Sequence, residues 1–141
     1  MSLTTDPKCI FCKIVAGDIP SFKLHETDKT LAFLDVGPIS KGHALIIPKH
    51  HGAKLHDLPD EALVELLPIV KKIAVAVGCE NYNVLQNNGR IAHQQVDVSS
   101  SLQLIPKPSE SDEEGLVIGW PTKPGDMAAL KAYAEEIKGK L

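Results

Sequence analysis

The chain has 141 residues, with 15 basic and 18 acidic side chains for a formal net charge of −3, and it is 43% apolar and 23% charged. That is the length of one ordinary domain with a globular composition, which argues against wholesale disorder, and its mildly acidic balance makes no electrostatic case for duplex nucleic acid as a partner. No window approaches ~18 uninterrupted apolar residues, so no membrane span is expected.

Taken in chain order, the first element is a short helix around Cys9–Val15. Short apolar runs rich in strand formers follow at Thr30–Leu34 and Ala44–Ile47. From Asp60 to Val77 the apolar positions Leu63, Leu66, Leu67, Val70, Ile73, Ala74 and Val77 share one face at 3.6 residues per turn. Pro59, Asp60 and Glu61 suit the start of that helix and Gly78 its stop. Pro68 inside it removes one ladder hydrogen bond and predicts a kink. Strands are expected at Tyr82–Leu85, Leu102–Ile105 and Leu116–Trp120, with the acidic segment 108–115 as a solvated loop between the last two. A C-terminal helix over 126–139 carries the stripe Met127, Leu130, Ala134 and Ile137, continued by Leu141, with Asp126 as its cap. Short strands on both sides of one long helix read as an α+β domain with a largely antiparallel sheet, a single domain spanning 1–141.

Three cysteines is an odd count, and two form Cys9-x-x-Cys12. This suits a reducing compartment, hence a cytoplasmic or nuclear setting, and the opening MSLTTDPKCIFCK has no secretory leader pattern. Two thiolates one turn apart can reach one tetrahedral metal, or form a redox dithiol, or simply pack as small half-buried groups. His50 or His51 could supply a third metal ligand, and the sequence shows no fourth. Gly42-His43 leads into an apolar strand that exits through Pro48-Lys49-His50-His51. Asn83–Gly89 is a strand running into an Asn-Gly turn, whose amides can donate to phosphate or merely satisfy the turn. Asp35, at the end of an apolar strand, could accept from ribose hydroxyls or act as a cap. Neither GxxxxGK[ST] nor GxGxxG occurs.

Together, CIFCKIVAGDIPS, LAFLDVGPISKGHALIIPKHH, NYNVLQNNGRIAHQQVD and LIPKP, in this order, resemble the histidine triad (HIT) family, Hint branch, over residues 9 to about 121. GLVIGWP is similar to fungal members. The resemblance implies a five-stranded antiparallel sheet, a homodimer joining two sheets edge to edge, and a pocket for a purine mononucleotide such as AMP. Carried over, Phe11 and Ile14 resemble walls of the base pocket, Phe33 and Val36 further base contacts, and Asp35 the ribose acid. Asn87 and Gln94 resemble polar residues near the α-phosphate. Cys9, Cys12 and His51 resemble three of the four zinc ligands of zinc-binding members. No organic cofactor is implied.

The family's reaction is hydrolysis of nucleoside phosphoramidates and other AMP conjugates through a nucleotidyl-histidine. Its His-x-His-x-His segment should stand just before Leu104-Ile105-Pro106. Here that stretch is Val96-Asp97-Val98-Ser99-Ser100-Ser101-Leu102-Gln103, with no histidine and one residue more than the family pattern. Counted back from Ile105, the triad positions fall on Ser99, Ser101 and Gln103; counted forward from Val96, on Val98, Ser100 and Leu102. Neither register supplies an imidazole, and the fourth zinc ligand, the first triad histidine, is missing as well. Three readings follow: a nucleotide-binding protein whose hydrolysis is lost or nearly lost; an active hydrolase in which Ser100 or Ser101 works with His93 or His51 as base; and a non-catalytic interaction module. Drift, deliberate replacement and an error in the gene sequence would each leave this abrupt break, and codons 96–106 distinguish them. Asp97–Ser101 should form a bulge or loosened loop that absorbs the extra residue.

Overall fold

A computed structural model describes residues 8–96 and 100–141. Its centre is a five-stranded antiparallel sheet in the order β1-β2-β3-β5-β4. The strands are β1 (Lys23–Glu26), β2 (Thr30–Leu34), β3 (Ala44–Pro48), β4 (Tyr82–Leu85) and β5 (Leu102–Pro106). The α+β class and the five-stranded sheet are therefore as expected. Two strand assignments differ. Lys23–Glu26 is an edge strand whose polar, exposed sequence KLHE lacks the apolar alternation that would reveal it. Leu116–Trp120 is irregular, because Gly115 donates its N–H to Ile39 O and leads the chain past the β2–β3 loop rather than along a sheet edge.

The two faces of the sheet bury different clusters. Ala32, Ala44, Ile46 and Leu104 pack on one face against Leu66, Ile69, Val70, Ile73 and Ala74 of helix α3 (Leu66–Val77). Leu31, Phe33 and Ile47 pack on the other against Cys9, Phe11 and Ile14 of helix α1 (Ile10–Ala16) and its cap. Strand alternation alone produces this partition, since successive side chains leave opposite faces.

The single kinked helix expected over Asp60–Val77 is two helices, α2 (Asp60–Leu63) and α3, separated at Val64–Glu65. Pro68 has no N–H for the carbonyl of Val64, and its ring crowds that carbonyl, so the break falls one turn before the proline. The restart shifts the buried stripe. Ile69 is covered, while Leu67 and Val77 are exposed. Pro59 stands at the N-cap of α2, and Gly78 ends α3 with a φ of 77°. The last helix, α4 (Met127–Lys138), is capped by Asp126, whose carboxylate accepts from the Ala128 N–H. Its apolar stripe, however, is exposed along with all of residues 117–141. No described helix is long and apolar enough to cross a membrane.

Candidate functional site

On the α1 face, a cavity of about 290 Å³ opens between α1, the ends of β2 and β3, and the loop before β5. Phe11, Ile14, Phe33, Asp35, Val36, Asn87 and Gln94 all line it, so the sheet collects every residue singled out for a nucleotide. Phe11 and Phe33 meet edge to face with ring centres 6.2 Å apart, and with the buried Ile14 they form its apolar end. Val36 is mostly exposed and forms the rim.

Asp35 stands one residue past β2. Its Oδ1 accepts the Gly37 N–H at 2.7 Å, a turn that fixes the carboxylate, and its Oδ2 lies 3.6 Å from His43 Nε2. Gly42, at a φ of 92°, makes the turn into β3 that delivers His43. A Cβ at Gly42 would meet Val77 Cγ1 at 3.0 Å and Pro106 Cγ at 3.3 Å, so both conformation and space require glycine.

The polar end is a loop held by amides. The Gln94 side chain is buried; its carbonyl accepts the Gly89 N–H and its NH₂ donates to the carbonyls of Ala53 and Val96. Asn87 donates to His93 O, Asn88 accepts the Leu55 N–H, and Gln86 and Asn88 exchange amide hydrogen bonds. The Asn88-Gly89 pair leads not into a hairpin but into a single 3₁₀ turn, Arg90–Ala92, closed by His93 with a left-handed φ of 67°.

The approach to β5 separates the two registers. Ser101 and Gln103 line the cavity. Leu102 packs on the α3 side, and Ser100 is buried, its N–H donating to Gly52 O and its hydroxyl accepting from Gln86. Of the two registers, the described residues Ser101 and Gln103 thus face the cavity, and Ser100 and Leu102 do not line it. Val98 and Ser99 lie outside the described residues, as does the Asp97–Ser99 part of the expected loosened loop. Ser100, at least, is pinned. Among the described residues no hydrogen bond joins Ser100 or Ser101 to a histidine. His93 is exposed and does not line the cavity, and His51 faces Cys12.

The donor atoms of Cys9, Cys12 and His51 lie within 4.8 Å of one another. Cys12 Sγ is 3.3 Å from His51 Nδ1, and Cys9 Sγ, fully buried, accepts the Cys12 N–H. Two thiolates and an imidazole suit zinc, but structural zinc takes four ligands, and among the described residues no fourth Cys, His or carboxylate joins these three. Lys49, at the basic exit of β3, lies 2.8 Å from Glu26 on β1, and together with Lys23 it holds that carboxyl below its ordinary range.

The sequence reading gave no role to Ile19, Pro20, Ser21, Leu45 or Gln95, which also line the cavity. Leu45 could have been found by register, since it pairs with Phe33 on one side and Gln103 on the other.

Known proteins share this sequence and fold. The chain is 59% identical over 133 residues to the adenosine 5'-monophosphoramidase of Schizosaccharomyces pombe, covering 94% of this chain and 98% of that protein, and 54% identical to its Saccharomyces cerevisiae namesake, covering 98% and 85%. The crystal structure of a histidine triad nucleotide-binding protein from Candida albicans superposes with a TM-score of 0.88 at 52% identity, covering 94% of this chain and 96% of that one. The HIT domain pattern matches residues 16–98, more than half the chain, and the chain belongs to the HIT family.

Proposed function

We propose that this chain binds a purine mononucleotide of the AMP type in the α1-face cavity, and that the hydrolysis typical of its relatives is lost or nearly lost. The observation that carries this reading is the asymmetry of the cavity wall. Its apolar end and Asp35 are in place, yet among the described residues no histidine lines it, and no histidine follows His93 in the sequence. In this reading Phe11, Ile14, Phe33 and Val36 hold the base and Asp35 accepts the ribose hydroxyls. Asn87 and Gln94 shape the phosphate end, Gln94 by pinning its loop. A hydroxyl without an adjacent base is a poor nucleophile at neutral pH.

Calorimetry tests the binding directly: AMP should bind in the micromolar to millimolar range, and an adenosine phosphoramidate should turn over no faster than background. Absence of AMP binding at millimolar concentration would leave the interaction-module reading. A second reading, a working nucleotide hydrolase, is favoured by the names of the relatives and by the position of Ser101 in the wall. Turnover by the chain as written, abolished by Ser101→Ala, would establish it.

Two features accompany the proposal. The Cys9–Cys12–His51 trio would hold zinc weakly, with partial occupancy that a mild chelator removes; stoichiometric zinc surviving the chelator would show a fourth ligand. A homodimer is supported by the outer edge of β4, where Tyr82 and Val84 are exposed, and by the exposed Leu67 and Val75 of α3. Sedimentation should give twice the chain mass.

A further inference from the structure

We propose that Cys9 and Cys12 are a dithiol that a peroxide oxidises to an internal disulfide, a redox modification site at the start of α1. Two thiols and one imidazole converge there, yet among the described residues no fourth ligand joins them to close a tetrahedral metal site. What converges instead is a thiol pair with one buried and one accessible member. Cys9 is fully buried, while Cys12 is half-buried. Oxidation-sensitive pairs are built this way, with an accessible thiol that meets the oxidant beside a second thiol that resolves it.

The geometry suits a bridge. The Lys13 N–H donates to Cys9 O at 3.1 Å, so residues 9–12 make a single turn. Residues three apart in such a turn have Cα atoms about 5 Å apart, inside the range of roughly 4.4–6.8 Å that disulfides span. Cys9 Sγ accepts the Cys12 N–H at 3.4 Å, which turns that sulfur toward Cys12, and the two sulfurs lie within 4.8 Å of each other. His51 Nδ1, 3.3 Å from Cys12 Sγ, holds that sulfur within the cluster. Side-chain rotation can then bring the sulfurs to bonding distance. The third cysteine stands apart: Cys79, just past α3, directs its thiol to Ala74 O at 3.8 Å and is outside the cluster.

With hydrogen peroxide, Cys12 Sγ attacks one oxygen, the O–O bond breaks, and a sulfenic acid and water form. Cys9 Sγ then attacks Cys12 Sγ, the S–O bond breaks, and a second water leaves. The two thiols lose two electrons and two protons, and the peroxide takes up both as it becomes two waters. A thiol reductant reverses the bridge by exchange. This chemistry stands whether or not the cavity holds a nucleotide.

The test is mass spectrometry of the full chain, reduced, freed of loosely held metal by a mild chelator, treated with hydrogen peroxide, then alkylated with iodoacetamide under denaturing conditions. The chain should be two hydrogens lighter before alkylation, with Cys9 and Cys12 in one bridged peptide and Cys79 alkylated. Dithiothreitol should return all three cysteines to alkylation. Cys9→Ala should let Cys12 stop at the sulfenic acid, which dimedone traps, whereas in Cys12→Ser the shielded Cys9 should give no dimedone adduct. Three alkylated cysteines after peroxide, over-oxidation of Cys12 without a bridge, or a bridge that includes Cys79 or a second chain would overturn the assignment. So would protection of both thiols by a metal that the mild chelator does not remove.

Discussion

The two ends of the cavity are built by different means. At the apolar end, side chains from α1 and β2 serve at once as cavity wall and as core. Phe11, Ile14 and Phe33 are each less than 10% exposed and belong to the cluster that closes one face of the sheet. At the polar end, a loop is tied down by side-chain amides, and of residues 100–103 only Ser101 and Gln103 meet the cavity. A change at the first end disturbs the fold. A change at the second alters what the cavity touches while Ser100 and Gln94 keep the loop in place. Recognition and chemistry can therefore separate within one pocket.

The largest expected effect comes from rebuilding the second end. Replacing residues 98–103 with a five-residue His-x-His-x-His segment removes the extra residue and returns an imidazole to the wall. Hydrolysis of an adenosine phosphoramidate should rise by on the order of 10⁴-fold or more, with a covalent nucleotidyl adduct visible by mass spectrometry. No gain, in a variant that still binds AMP, would show that the two ends are not independent.

Next in size is Asp35→Ala. A hydrogen bond to a charged acceptor contributes about 1.5–3 kcal/mol, so adenosine and AMP should both weaken by roughly 10- to 100-fold. The equal loss is the signature.

Gln94→Ala addresses how the polar loop is held. It strips partners from the Gly89 N–H and from the Ala53 and Val96 carbonyls. Leaving such a group unsatisfied in the interior costs about 1–3 kcal/mol, which thermal melting would register as a lower Tm. Were Gln94 a phosphate contact rather than a staple, the Tm would hold and AMP affinity alone would fall.

How far the sequence foretells this arrangement depends on the kind of residue. Thr30–Leu34 and Tyr82–Leu85 are strands at the expected bounds, because apolar and β-branched runs stop at turn residues. The C-terminal helix starts where Asp126 can cap it. Lys23–Glu26 was hidden, because an exposed edge strand has no face to bury, and Leu116–Trp120 had strand composition but no neighbouring strand. At the site, Phe11, Ile14, Phe33 and Val36 were legible through the family resemblance; strand alternation alone could have placed only Phe33, since Phe11 and Ile14 stand on α1 and Val36 beyond β2. The hydrogen bonds of Gln94 to the loop backbone were not legible, since an amide in a loop can serve ligand or backbone and the sequence does not name its partners. The sequence offered two registers for Ser99–Gln103; the side on which Ser101 and Gln103 emerge separates them.

The smallest effect concerns the frame beneath both ends. Glu65 sits in the break between α2 and α3 and accepts the hydroxyl proton of Thr27, while the Thr27 oxygen accepts the N–H groups of Lys29 and Thr30. The β1–β2 turn is thereby fastened to the start of α3, behind the sheet that carries the cavity. The Thr27 hydrogen bond, helped by the nearby charges of Lys29 and His25, outweighs desolvation and lowers the Glu65 pKa below its ordinary value. A carboxyl whose folded pKa is depressed stabilises the fold above the unfolded pKa and loses that contribution as pH falls through the folded one. Wild type should therefore be more stable than Glu65→Gln at pH 7, by a small margin because the group is largely solvated. The margin should close on acidification below the ordinary glutamate range. Adenosine affinity should be unaffected at neutral pH, since Glu65 lies outside the cavity wall. A margin that widened in acid would mean that Thr27 holds the protonated carboxyl instead, and that the turn is not fastened by charge.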